Sequence, residues 1–184
     1  AEPLVDGADG LLALAEGALE GGGDPGSRLG EARSLLARAH ALQPGYDHAW
    51  VQRARLELLA AGASLSGVGK VAPSPGGLAR ARNQLRGAFR VPKPRLPAQL
   101  VRAELAFWEA RSGRSGAHAE GVAACDAALA MNPNCGEAWL WRGGLEALRG
   151  RKAEARAAWA RALELNANLA RRLERLKALC SAEN

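Results

Sequence analysis

The sequence predicts an all-α fold, and three observations predict it. The apolar residues are of helical type: about 41 of the 184 are Ala and 28 are Leu, while Ile is absent. Ala, Leu, Arg and Glu favour helices, whereas sheets favour β-branched and aromatic side chains, so strands are disfavoured from the start. Several segments repeat a small–large–small apolar triplet at i, i+4, i+7, which is one stripe of a helix. Those segments end at Pro44, at Asn132-Pro133 and at Asn166-Ala167, and Pro cannot continue a helix. The length suits one domain with a continuous core.

The elements follow in order. Residues 4–20 contain the run Leu11-Leu12-Ala13-Leu14-Ala15 and stop at the loop GGGDPGS, 21–27. Residues 28–42 carry the triplet Ala32-Leu36-Ala39. Residues 47–62, with AWVQRARLELL at 49–59, form the next helix, followed by the Gly-, Ser- and Pro-rich stretch 63–77. Ala81-Leu85-Ala88 places a helix at 77–90, and another is expected at 97–111. The stretch RSGRSGAHA, 111–119, reads as a third loop and puts His118 in it. Gly121-Cys125-Ala128 lies in a helix at 117–131. Asn134 with Glu137 three residues on resembles an N-cap and its reciprocal partner. Helices at 136–149 and 151–165 follow, the second with Ala155-Trp159-Ala162. A last helix, 168–180, has Leu169, Leu173, Leu176 and Cys180 on one stripe opposite Arg171, Arg172, Arg175 and Lys177.

The chain also matches itself. Ala49, Trp50, Arg53, Leu56, Glu57 and Leu59 recur as Ala138, Trp139, Arg142, Leu145, Glu146 and Leu148. Segments 31–44, 121–133 and 154–167 form a second matching set. With Trp139, Gly143, Gly150, Ala155, Trp159 and Ala162 at the expected offsets, residues 136–167 resemble the tetratricopeptide repeat family, a 34-residue helix–turn–helix unit. Ala167 stands where that pattern has Pro, and Arg142 where an apolar residue is commoner. Trp50, Ala54 and Gly62, with Ala32, Leu36, Ala39 and Pro44 before them, carry the likeness over 29–62. The three long loops depart from the regular period, and all fall between the first and second helix of a unit.

That resemblance implies a right-handed superhelix spanning 1–184 as one domain. It would contain about four helix pairs (4–42, 47–90, 97–131, 136–165) and a capping helix at 168–180. It implies a non-catalytic protein–protein interaction or scaffold module whose first helices line a concave, partner-binding groove. The matched groove positions are His48 with Glu137, Gln52 with Trp141, and Arg55 with Gly144. Trp50, Trp139 and Trp159 fall at repeat core positions, where an indole fills the space between helices. Trp141 lies two residues after Trp139, about 200° around the helix. Two readings are open for it: a groove anchor for a partner side chain, or packing against Phe107 or Trp108. Some family members grip a C-terminal carboxylate with Lys and Asn, but Val51, Gln52, Arg55, Leu140, Trp141 and Gly144 disfavour that chemistry here. Asp24-Pro25 and the Asn-Pro and Asn-Ala endings also resemble repeats found C-terminal to bacterial serine/threonine kinase domains. A regulatory arm of such a signalling enzyme is therefore an alternative.

Little else in the sequence suggests chemistry. His40, His48 and His118 have no partner at helical metal spacing, and Cys125, Cys135 and Cys180 form no Cys-x-x-Cys pair, so no metal or cofactor is expected. Cys125 takes the large-apolar position held by Leu36 and Trp159 and reads as a small buried hydrophobe. The segments at 21–26 and 66–70 lack the Lys-Ser/Thr and the preceding strand of a phosphate loop. Three cysteines and the absence of an apolar span or basic-led signal segment suggest reduced thiols in the cytoplasm. The chain opens on Ala, which reads as part of something longer.

Charge is uneven. Residues 1–31 carry net −6 and the rest +12, with a basic strip at 70–114 comprising Lys70, Arg80, Arg82, Arg86, Arg90, Lys93, Arg95, Arg102, Arg111 and Arg114. Three readings follow: a solvated face, an acidic protein partner, or nucleic acid.

Overall fold

The computed structural model describes residues 1–20, 23–65, 73–90 and 95–181. Among these the chain is all-α, with no strand and no helix long and apolar enough to cross a membrane. The helices are α1 (Glu2–Glu20), α2 (Gly26–Leu42), α3 (Asp47–Ala60), α4 (Pro75–Ala88), α5 (Leu96–Arg111), α6 (Ala117–Met131), α7 (Gly136–Leu148), α8 (Lys152–Leu165) and α9 (Ala170–Ser181). A 3₁₀ turn at Ala167–Leu169 leads into α9. The chain divides into two compact units between Val101 and Arg102, within α5.

In the first unit α1 pairs with α2 and α3 with α4, and α3 also touches α1 and α2. The sequence triplets are the buried stripes: Ala32, Leu36 and Ala39 on α2 and Ala81, Leu85 and Ala88 on α4. Val5, Ala8, Leu12 and Ala15 give α1 its own stripe against them. In the second unit α7 pairs with α8 and also meets α6 and α9. Its core takes Cys125 and Ala128 from α6, Leu140 and Leu145 from α7, and Ala155, Trp159 and Ala162 from α8. Small outer residues let helix axes approach while the larger central one fills the gap, and each buried Leu contributes about 1.5–3 kcal/mol.

Several boundaries move by one or two residues. Two shifts have a chemical reason. The 63–77 loop ends early because Ser74 caps α4, accepting from the Gly77 amide at 3.2 Å, with Pro75 at the first helical position. The 111–119 loop also ends early: left-handed Gly116 starts α6 at Ala117, so His118 is helical and not in a loop. Residues 66–72 of the expected 63–77 loop, the segment 66–70 among them, lie outside the described residues.

The α2–turn–α3 and α6–turn–α7 stretches repeat in detail at an offset of 89 residues, the separation of Trp50 from Trp139. The Trp50 indole donates to the Pro44 carbonyl at 3.1 Å, and Trp139 donates to Pro133 at 3.3 Å. The turn amides match as well: Gln43 donates to Ala39 and Tyr46 to Gln43, as Asn132 does to Ala128 and Cys135 to Asn132. Asn134 is not the N-cap of α7. Cys135 takes that place without a side-chain bond, and the Asn132 side chain accepts from the Asn134 amide instead.

Helices α3, α5 and α7 end alike. Gly62, Gly113 and Gly150 have φ of 81°, 79° and 74°. The next amide reaches back five residues, from Ala63 to Leu58, Arg114 to Glu109 and Arg151 to Glu146. The space around Gly150 is open, so Gly150→Ala tests backbone conformation alone. Chemical denaturation should show a loss of about 1–2 kcal/mol, the penalty for a side chain in left-handed backbone.

Candidate functional site

The six expected groove residues are held by contacts within their own units. On α3, Arg55 donates to Asp9 of α1 at 2.9 Å and lies 3.6 Å from Glu16. It also donates to Gln52 at 3.3 Å, and Gln52 is itself buried and bonded to His48. The acidic start of the chain thus has one local use, which is to neutralise Arg55.

On α7 the equivalent positions lie beneath α9. Trp141 is 1% exposed, with its ring 5.5 Å from that of Phe107. Of its two readings the structure has the packed one, and an exposed anchor at Trp141 is corrected. Arg172 of α9 lies over the indole at 6.0 Å and donates to Glu137. Gly144 is buried because Leu176 and Phe107 crowd it, leaving a Cβ about 3.1–3.2 Å from their carbons. The Cys180 thiol points to the Gly144 carbonyl at 3.8 Å. Leu169, Leu173, Leu176 and Cys180 are all buried, so the stripe read in the sequence is the face that α9 turns inward.

The other Trp residues fill helix gaps as their positions predict, with one refinement. Trp159 is buried over Gly143 and donates to the Leu140 carbonyl at 3.2 Å. Trp50 covers Gly87 and meets His40 edge-on at 4.5 Å. Trp50 and Trp139 are only half-buried, because each indole N–H reaches out to an exposed turn carbonyl. Cys125 is fully buried, and burial pushes its thiol up to about 12, as befits a packing residue.

The basic residues are largely engaged. In the first unit Arg80 donates through Nε to buried Glu57 at 2.8 Å, and Arg95 pairs with buried Asp47 at 3.2 Å. Arg86 donates to Asn83 and remains exposed, as does Arg90, while Arg82 is half-buried. Arg102 and Arg111 belong to the second unit, where Arg111 lies over Trp108, and Arg114 binds both Glu109 and Glu120. Lys70 and Lys93 lie outside the described residues.

One cleft in the first unit escaped the sequence reading. It is about 80 Å³ in volume and is lined by Arg33, Leu36 and Ala37 of α2, Arg53, Leu56 and Glu57 of α3, and Gln84 of α4. Glu57 accepts from Arg33 at 3.2 Å on one oxygen and from Arg80 on the other. The Arg53 guanidinium lies over the Trp50 ring at 5.1 Å and has no oxygen partner among the described residues. Burial pulls its pKa below the ordinary arginine value, with Glu57 opposing. The sequence carries a signal for it in the recurrence of Arg53 as Arg142. No family model and no curated protein matches the chain.

Proposed function

We propose that this chain is a non-catalytic protein-interaction module built from tetratricopeptide-like helix pairs stacked in a superhelix. The observation that carries the reading is the recurrence of one turn and packing scheme in α2–α3 and α6–α7, down to the Trp–Pro bond at 50/44 and 139/133. Recurring units of this kind bury a common core and leave their differences on the surface, where partners read them. Engagement of Arg55, Arg80, Arg95 and Arg114 by carboxylates supports a protein partner over nucleic acid, since paired guanidinium groups attract phosphates weakly.

The test has two arms. Chemical cross-linking in source cells, followed by purification of this chain, should recover a protein partner in near-equal amount. Mixing the purified protein with a duplex or single-stranded oligonucleotide at low salt should give no complex. Tight oligonucleotide binding that falls steeply with salt, with no protein recovered, would replace this reading by the nucleic-acid one.

A further inference from the structure

The 89-residue offset that relates α2 and α3 to α6 and α7 makes each stretch a control for the other, and one of the charged contacts in which they differ involves Arg142. Arg142 of α7 pairs with Asp126 of α6. Arg53 is the equivalent of Arg142, and the equivalent of Asp126 is Ala37. Both Arg53 and Ala37 line the cleft. Where one unit has a carboxylate beside the guanidinium, the other has an exposed methyl group and open space.

The surrounding charges differ in the same sense. Arg142 and Arg151 face Asp126 and Glu146, two cations against two anions. At the cleft Arg33 and Arg53 face Glu57, which is already engaged by Arg80 on its other oxygen. Val122 stands where Arg33 stands, so the additional cation is specific to the first unit. Leu36 and Leu56 supply an apolar floor, and Gln84 a neutral amide at the wall. At about 80 Å³ the cleft is well below the roughly 300–1,000 Å³ of small-molecule sites, a scale for one side-chain group.

We propose that this cleft receives an aspartate or glutamate side chain of a protein partner, supplying in trans the carboxylate that Asp126 supplies to Arg142 in cis. The proposal deepens the protein-interaction reading and rests on it. Arg53, its guanidinium 5.1 Å from the Trp50 ring centroid, can offer a planar, two-pronged donor set, and Arg33 lines the same cleft from α2.

The experiment follows the arginine side-chain Nε–Hε signals of ¹⁵N-labelled protein during titration with an octaglutamate peptide, and separately with inorganic phosphate, at about 50 mM salt. Octaglutamate should shift Arg53 and leave Arg142 unmoved. Ala37→Asp fills the cleft from within at an exposed position and should weaken the interaction roughly fivefold or more, as should Arg53→Gln. Asp126→Ala should make Arg142 respond like Arg53. Equal responses in the native protein and A37D would overturn the proposal, as would shifts with phosphate but none with octaglutamate. A cross-linked partner that binds A37D as well as native protein would remove this site while leaving the interaction reading intact.

Discussion

Trp141→Ala is expected to lower the unfolding free energy by about 3–5 kcal/mol, measured by urea denaturation followed by circular dichroism. The indole is fully enclosed between Phe107 and the guanidinium of Arg172. Removing it leaves a cavity and strips α9 of part of its seat on α7. For a chain of this length the loss corresponds to a fall in melting temperature of roughly 10 °C. An exposed groove residue would behave otherwise, within about 0.5 kcal/mol of native. The size of the effect therefore separates the two readings the sequence left open.

The second large effect comes from adding a methyl group. A Cβ at Gly143 would lie 2.3 Å from atoms of the Trp159 ring, and one at Gly87 2.2 Å from the Trp50 ring, far inside contact distance. On an open helix face Gly→Ala stabilises by about 1 kcal/mol. Gly143→Ala should instead destabilise by about 1–3 kcal/mol, because a filled gap must be forced apart. The sign of the change is the test. Combining Gly143→Ala with Trp159→Leu should recover part of the loss, and a double-mutant cycle should give a coupling of at least about 1 kcal/mol. Additive effects would mean that the indole does not lie on that glycine.

These two cases also mark what the sequence could and could not reveal. Helices were legible because each buried stripe is a run of Ala and Leu at fixed spacing, as at Ala32-Leu36-Ala39 and Ala81-Leu85-Ala88, and every one of those residues is buried. The Trp–Gly contacts were not legible, although both residue types were noted. Trp159 and Gly143 lie on different helices, and only the packed pair shows that the small residue exists to admit the large one. Gln52, Trp141 and Gly144 are buried, and His48, Arg55 and Glu137 partly so, for a related reason. A repeat pattern marks positions that face away from their own unit, but it is silent on what covers them. Here Arg172 and Leu176 cover Glu137, Trp141 and Gly144, and Asp9 and Glu16 engage Arg55. The Asn134–Glu137 cap failed because Glu137 has a stronger partner in Arg172. A count of basic residues over 70–114 likewise cannot show that Glu57, Asp47 and Glu109 engage Arg80, Arg95 and Arg114.

The cleft at Arg53 arises from the opposite circumstance, a charged position without its local partner. Aligning the chain with itself places Ala37 against Asp126, but the meaning of that difference depends on Arg142 touching Asp126. A contact in one unit thus identifies a missing contact in the other.

The most direct test of this account places a photo-reactive amino acid at position 37, and in a separate protein at position 126, within source cells. Both positions are exposed at equivalent points of the two units. Cross-links are expected from position 37 to an Asp- or Glu-rich segment of a partner, lost when Arg53 is also changed to Gln, and few from position 126. Equal yields from the two positions, or cross-links from 37 that persist without Arg53, would contradict it.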